Sequence, residues 1–97
     1  VFVGSGAGAR NTEASGNVAV GYQAGQQNQT GDQNTTLGYK AGTKLTTSAN
    51  TMIGYQAGLN ATTGRFNTFI GVNAGINTTE GSSNYFLGTN AGQRNTT

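Results

Sequence analysis

The sequence predicts an all-β chain: a parallel β-solenoid, or β-roll, of about six coils with a 16–17-residue repeat. Three observations predict it. A Gly followed three residues later by Ala-Gly recurs at Gly4, Gly21, Gly38, Gly54, Gly71 and Gly88, at intervals of 17, 17, 16, 17 and 17 residues. The residue before each of these glycines is aliphatic: Val3, Val20, Leu37, Ile53, Ile70 and Leu87. The rest of each repeat is mostly Asn, Thr, Gln, Ser and Gly, with no apolar run long enough for a helix. A fixed period of this length, punctuated by Gly, marks an array in which each repeat is one coil stacked on the next. Residues 1–97 therefore read as a single array, expected to be a segment of a longer fibre.

Each coil is expected to run strand, bend, short strand, loop. Asn67-Thr68-Phe69-Ile70-Gly71 is too short for a helix and is β-branched and aromatic, so it reads as a strand. The Gly and Ala-Gly that follow suit a bend and a second short strand lying close to its neighbours. Thr63-Gly64-Arg65-Phe66 and Glu80-Gly81-Ser82-Ser83 carry turn chemistry. Stacking in register pairs each strand with its equivalent in the next coil, in parallel. The one 16-residue interval, Gly38 to Gly54, places its missing residue in the loop Thr43 to Ala49, where a length change is cheap. In a strand it would turn every later side chain to the other face.

Four rows of residues follow from this alignment. The aliphatic row Val3, Val20, Leu37, Ile53, Ile70 and Leu87, with the alanine row Ala24, Ala41, Ala57, Ala74 and Ala91, is the expected core. The asparagine row Asn17, Asn34, Asn50, Asn67 and Asn84 is expected to close turns and stack its amides along the coil axis, in preference to binding a ligand. Residues two before each Gly point away from the aliphatic row. Phe2, Met52, Phe69 and Phe86 among them, with Tyr22, Tyr39 and Tyr55 just after the Gly, would then form an outer apolar stripe. A coil burying one aliphatic side chain and one Ala gains little against ordering about 17 residues at roughly 1–2 kcal/mol each. Such a stripe is therefore expected to be an interface, most simply in a parallel homotrimer. On this reading Ile70→Asp collapses a coil.

Composition excludes much chemistry. The chain has no Cys and no His, and its only acids are Glu13, Asp32 and Glu80, in different repeats. No disulfide, nucleophile–base pair, paired-carboxylate site or repeated-Asp calcium roll can be assembled from these residues. No catalytic residue, metal ligand or cofactor is expected. Gly4-Ser5-Gly6-Ala7-Gly8 resembles a phosphate loop only because it is the first repeat, and no Lys follows it. A net charge of +2 from scattered Arg10, Lys40, Lys44, Arg65 and Arg94 makes no basic stripe, so nucleic acid is not an expected partner. No apolar run reaches membrane-spanning length, so no membrane insertion is expected.

Weaker signals concern recognition. The Tyr22, Tyr39, Tyr55 column with Lys40 beside it is the best candidate for glycan contact, although interface packing is the expected role. Sequons at Asn28, Asn34, Asn60, Asn77 and Asn95 are candidate glycosylation sites in a host that modifies surface proteins. Thr35, Thr51 and Thr68 form a column of the sort that regular solenoids present to ice, interrupted by Val1, Val18 and Tyr85.

Asn17-Val18-Ala19-Val20-Gly21-Tyr22-Gln23-Ala24 resembles the head repeat of YadA-type trimeric autotransporter adhesins, a short Ser-Val-Ala-Ile-Gly-like strand followed by x-x-Ala. The resemblance covers all six repeats and implies a left-handed parallel β-roll packed in threes. The repeat is longer here than that family's usual period, and its strand begins with a fixed Asn. The long Asn/Thr/Gly loop and constant Ala-Gly look closer to Asn-Thr-x-Ile-Gly-x-x-Ala-Gly arrays of phage tail fibres. The expected function is a non-catalytic shaft or adhesin segment of an extracellular, cell-surface or virion fibre. Its expected partners are copies of itself, in a homotrimer or an end-to-end filament, and a cell-surface glycan or host receptor. An ice-binding solenoid and a self-assembling filament subunit are the alternatives.

Overall fold

The structure, a computed structural model, describes residues 1–96. It is a parallel β-solenoid. Six short strands, β1 (Phe2–Val3), β2 (Val18–Val20), β3 (Thr35–Leu37), β4 (Thr51–Ile53), β5 (Thr68–Ile70) and β6 (Tyr85–Leu87), form one sheet in the order β1-β2-β3-β4-β5-β6. Pairing is parallel and in repeat register throughout: Ala19 lies opposite Thr36, Thr36 opposite Met52, Met52 opposite Phe69 and Phe69 opposite Phe86. The stack measures 31 × 21 × 15 Å.

The segment after each strand is not the second strand that the sequence suggested. It is a run of overlapping turns. In the fourth repeat, Ala57 N–H donates to Gly54 C=O, Leu59 N–H to Gln56 C=O and Ala61 N–H to Gly58 C=O, at 3.0–3.2 Å. Turns of this kind need left-handed residues, and Gly54, Gln56 and Gly58 have φ of 133°, 58° and 60°. The turns also bond to the next coil, with Gly58 N–H donating to Ala74 C=O at 2.9 Å. This wall thus satisfies its backbone groups without adopting strand geometry.

The first Gly of each repeat is required by its dihedral and, in every coil but the last, where Gly88 has open space, also by a close approach. Its φ lies between 117° and 133° in all six repeats, and a Cβ on Gly54 would sit 2.5 Å from the carbonyl oxygen of Gly71. Neither the dihedral nor the approach admits an L side chain.

The short repeat keeps its register. Leu45 aligns with Asn28 and Ala61, Thr47 replaces the glycine found at Gly31 and Gly64, and Thr46 N–H donates to Thr62 C=O at 3.1 Å. The omitted residue therefore falls between Leu45 and Thr47, within the loop expected to tolerate it.

The core is built by three inward rows. One is the alanine row, with Ala24, Ala41, Ala57 and Ala74 buried and Ala91 half-buried. The second is Ala19, Thr36, Met52, Phe69 and the half-buried Phe86. The third, not foreseen from the sequence, contains Asn28, Leu45, Ala61 and Thr78. Leu45, Met52, Ala57, Ala61, Phe69 and Ala74 form one packed cluster, with Phe86 against it. Packing loosens where the second row is small: a cavity about the size of one water lies among Phe2, Ala19, Gly25, Asn28, Thr36 and Leu45. Ala19→Val is expected to fill it and raise stability by about 0.5–1 kcal/mol, read as a higher Tm.

Candidate functional site

The strand wall is the candidate site, and here the structure reverses the core assigned from sequence. The aliphatic row points outward. Val3, Leu37, Ile70 and Leu87 are exposed (43% for Leu37, 38% for Ile70), and Val20 and Ile53 are half-buried. The expected outer stripe divides: Met52 and Phe69 are fully buried and Phe86 half-buried, while Phe2, in the first coil, and Tyr22, Tyr39 and Tyr55 are exposed. The reason lies across the coil, at the Gly of each Ala-Gly pair. A Cβ on Gly58 would meet Met52 Sδ, one on Gly75 would lie 2.7 Å from the Phe69 ring, and one on Gly42 would lie 2.8 Å from Thr36 Cγ2. The second glycine leaves room for the side chain two before the first, which fixes which strand face turns inward.

Outward from the strands run two columns. The aliphatic row is one. Val18, Thr35, Thr51 and Thr68, all half-buried, form the other, with exposed Val1 and Tyr85 at its ends. Beyond the glycine corner stand Tyr22, Tyr39, Tyr55 and Val72, all exposed. The three tyrosine rings stack, with centroids 5.3 and 5.1 Å apart and interplanar angles of 13° and 9°. Lys40 Nζ lies 5.4 Å from the Tyr39 centroid. Because these rings turn their faces on one another, the surfaces on which a sugar would stack are taken up along most of the column. That removes the main reason for reading it as a glycan platform.

A different wall is polar. Arg10, Gln27, Lys44, Asn60, Asn77 and Arg94 alternate with Thr12, Gln29, Thr46, Thr62, Thr79 and Thr96, on either side of the inward Leu45 row. Thr46 and Thr62 Oγ1 each donate to a carbonyl of the next coil at 3.1 Å. The solenoid is therefore amphipathic, with aliphatic and tyrosine rows exposed beside the threonine column on its strand wall and hydrogen-bonding side chains on this one.

The asparagine row is a structural spine. Asn17, Asn34, Asn50 and Asn67 are buried, and Asn84 is half-buried. Each Oδ1 accepts the N–H of the next Asn: Asn17 from Asn34 at 2.8 Å, Asn34 from Asn50 at 2.9 Å, Asn50 from Asn67 and Asn67 from Asn84 at 3.0 Å. Each Nδ2 donates to a carbonyl at the corner of the next coil: Asn17 to Gly31 at 2.8 Å, Asn50 to Gly64 at 3.1 Å and Asn67 to Gly81 at 2.7 Å, with Asn34 likewise bonded to Thr47. These four amides are spent on the stack and offer nothing to a ligand; Asn84, in the last coil, has no partner for its Nδ2 among the described residues.

The sequons separate by burial. Asn28 and Asn34 are buried, and Asn28 exchanges two hydrogen bonds with Gly31. Asn60 and Asn95 are half-buried and Asn77 is exposed; the Asn95 sequon ends at Thr97, outside the described residues. Among the described residues no cluster of acids, His or Cys could hold a metal, and no helix is long and apolar enough to cross a membrane. Asp32 Oδ1 is occupied by the Ser15 N–H at 2.8 Å. No protein-family profile, curated protein or solved structure matches the chain.

Proposed function

We propose that the chain is a non-catalytic shaft segment of an extracellular or virion fibre, self-associating in parallel through its strand wall, most simply as a homotrimer. One observation carries this reading. The aliphatic row and the tyrosine column make a continuous apolar strip along the solenoid, while the Arg10–Thr96 wall is polar. Contiguous exposed strips of this kind mark interaction surfaces. The occupant that fits is another copy of the chain. A row that repeats once per coil, about every 4.8 Å, meets an identical row in register and pairs Ile53 and Ile70 with like side chains at every level. Three copies then hide three strips and leave three polar walls in water.

The mechanism is mechanical. Stacked parallel strands give a stiff rod that holds a recognition element away from a surface. Light scattering is expected to give three chains per particle. Ile53→Lys places a charge in the strip and is expected to reduce the particle to single chains, with the circular dichroism of the solenoid retained. Loss of the fold instead would put Ile53 in the core and refute the outward assignment.

An ice-binding role draws on one specific observation, the Thr35, Thr51, Thr68 column lying beside the aliphatic row on a regular sheet. A monomeric wild type that arrests ice growth would replace the fibre reading with this one.

A further inference from the structure

One corner residue per coil, just ahead of the buried Asn, holds a left-handed backbone: Gly16, Gln33, Ala49, Phe66 and Ser83, with φ of 71°, 60°, 64°, 61° and 58°. Phe66 alone among them is bulky. A large side chain at this dihedral is an outlier that its surroundings must impose. The ring gains no core packing in return. It is 59% exposed and, unlike Phe69 with Phe86 or the tyrosine column, has no stacking partner. Its neighbours at the same corner, Ser48 and Ala49 in one coil and Ser82 and Ser83 in the other, are small and cover less than half of it.

Arg65 stands beside it and is also exposed. Its backbone is pinned: the Arg65 N–H donates to Ser82 Oγ at 3.1 Å, and its C=O accepts from Ser83 N–H at 2.9 Å. Its guanidinium makes no hydrogen bond or ion pair among the described residues, Glu80 included. The corner thus holds an open aromatic face and an unpaired guanidinium on adjacent residues of a rigid turn.

We propose that Arg65 and Phe66 form a contact point for a saccharide bearing a carboxylate. A guanidinium presents a fork of donors that matches a carboxylate in two parallel hydrogen bonds. The C–H face of a sugar ring covers an aromatic face without needing a cleft. The side chains flanking the ring, Ser48, Ala49, Ser82 and Ser83, are too small to enclose a peptide side chain, which disfavours that kind of ligand. The contact does not use the strand wall, so it stands apart from the self-association proposed above and adds recognition to the shaft.

The test is an NMR titration of the full chain with an alginate hexasaccharide, whose sugars are uronates, and with neutral maltohexaose. Alginate is expected to shift the Arg65, Phe66 and Asn67 amides, with weaker binding at high salt; maltohexaose is expected to leave them in place. Arg65→Gln is expected to weaken alginate binding about tenfold or more, the usual loss for a charge-assisted pair. Phe66→Gly is expected to abolish the shifts, raise Tm, because glycine takes this φ freely, and leave the light-scattering mass unchanged. Shifts spread over Lys40 and Lys44, an equal response to maltohexaose, or binding of a polyglutamate peptide as tight as that of alginate would overturn the proposal. So would a Phe66→Gly variant of lower Tm or smaller mass, which would place the ring in packing within or between chains.

Discussion

Phe69→Ala is expected to cost about 3–5 kcal/mol, the largest loss from any single truncation in the chain. Phe69 is fully buried, stacks on Phe86 at 5.1 Å and fills the space over Gly75. The walls around it are backbone turns, bonded to the coils on both sides, and cannot collapse into the void. Denaturant unfolding measures the cost. Ile70→Ala, one residue along, is expected to cost under about 1 kcal/mol in a single-chain form of the protein, because its side chain already meets water. The pair reverses what the sequence suggested, where Ile70 held the core and its change to Asp collapsed a coil. If Ile70→Ala proves the more costly of the two, the strand faces are assigned the wrong way round.

Asn50→Leu is the second large effect. Asn50 is fully buried, its Oδ1 accepts the Asn67 N–H, and its Nδ2 donates to Gly64 C=O. A leucine of similar size leaves both backbone groups buried and unpaired, at about 1–3 kcal/mol each. Unfolding is expected to show a loss of about 2–5 kcal/mol, with the Asn67 amide losing protection in hydrogen exchange. Asn50→Asp keeps the acceptor but turns a buried carboxylate oxygen toward the Ser48 and Gly64 carbonyls, so it is expected to cost at least as much as Leu at neutral pH. A spine serving only as a surface turn would show neither loss.

The repeat, the parallel in-register sheet and the harmless place for the short interval could all be read from the sequence, because each depends on spacing alone. Parity was legible too: Phe69 and Ile70 had to face opposite ways. Which of them faced inward was not, since both are large and apolar and local pattern ranks them equally. The deciding contact, Phe69 over Gly75, joins the strand to a turn across the coil and has no local signature. A clue lay in the inward rows. Thr36 is small where Leu45 is large, and Met52 and Phe69 are large where Ala61 and Thr78 are smaller, as expected of side chains sharing one cross-section. The sequence suggests a second short strand where turns lie because the Ala-Gly steps need left-handed residues even at Gln23, Lys40 or Asn73, whose φ of 56–59° nothing local foretells. Phe66 has no signature of its own in the sequence, since the residues around it mark a turn whichever side chain it bears.

The cavity beside Ala19 has a consequence for a rod under load. Every coil touches only its two neighbours, so tension along the axis passes through all of them in series. Thickness elsewhere gives no protection: the Phe69–Phe86 stack cannot share the strain borne by the Ala19–Thr36 step. Among the steps between full three-residue strands, rupture should start at that one and split the stack there. The remaining coils would let go one at a time, like links of graded strength, and the extension trace of a single molecule would record the order of the side chains inside.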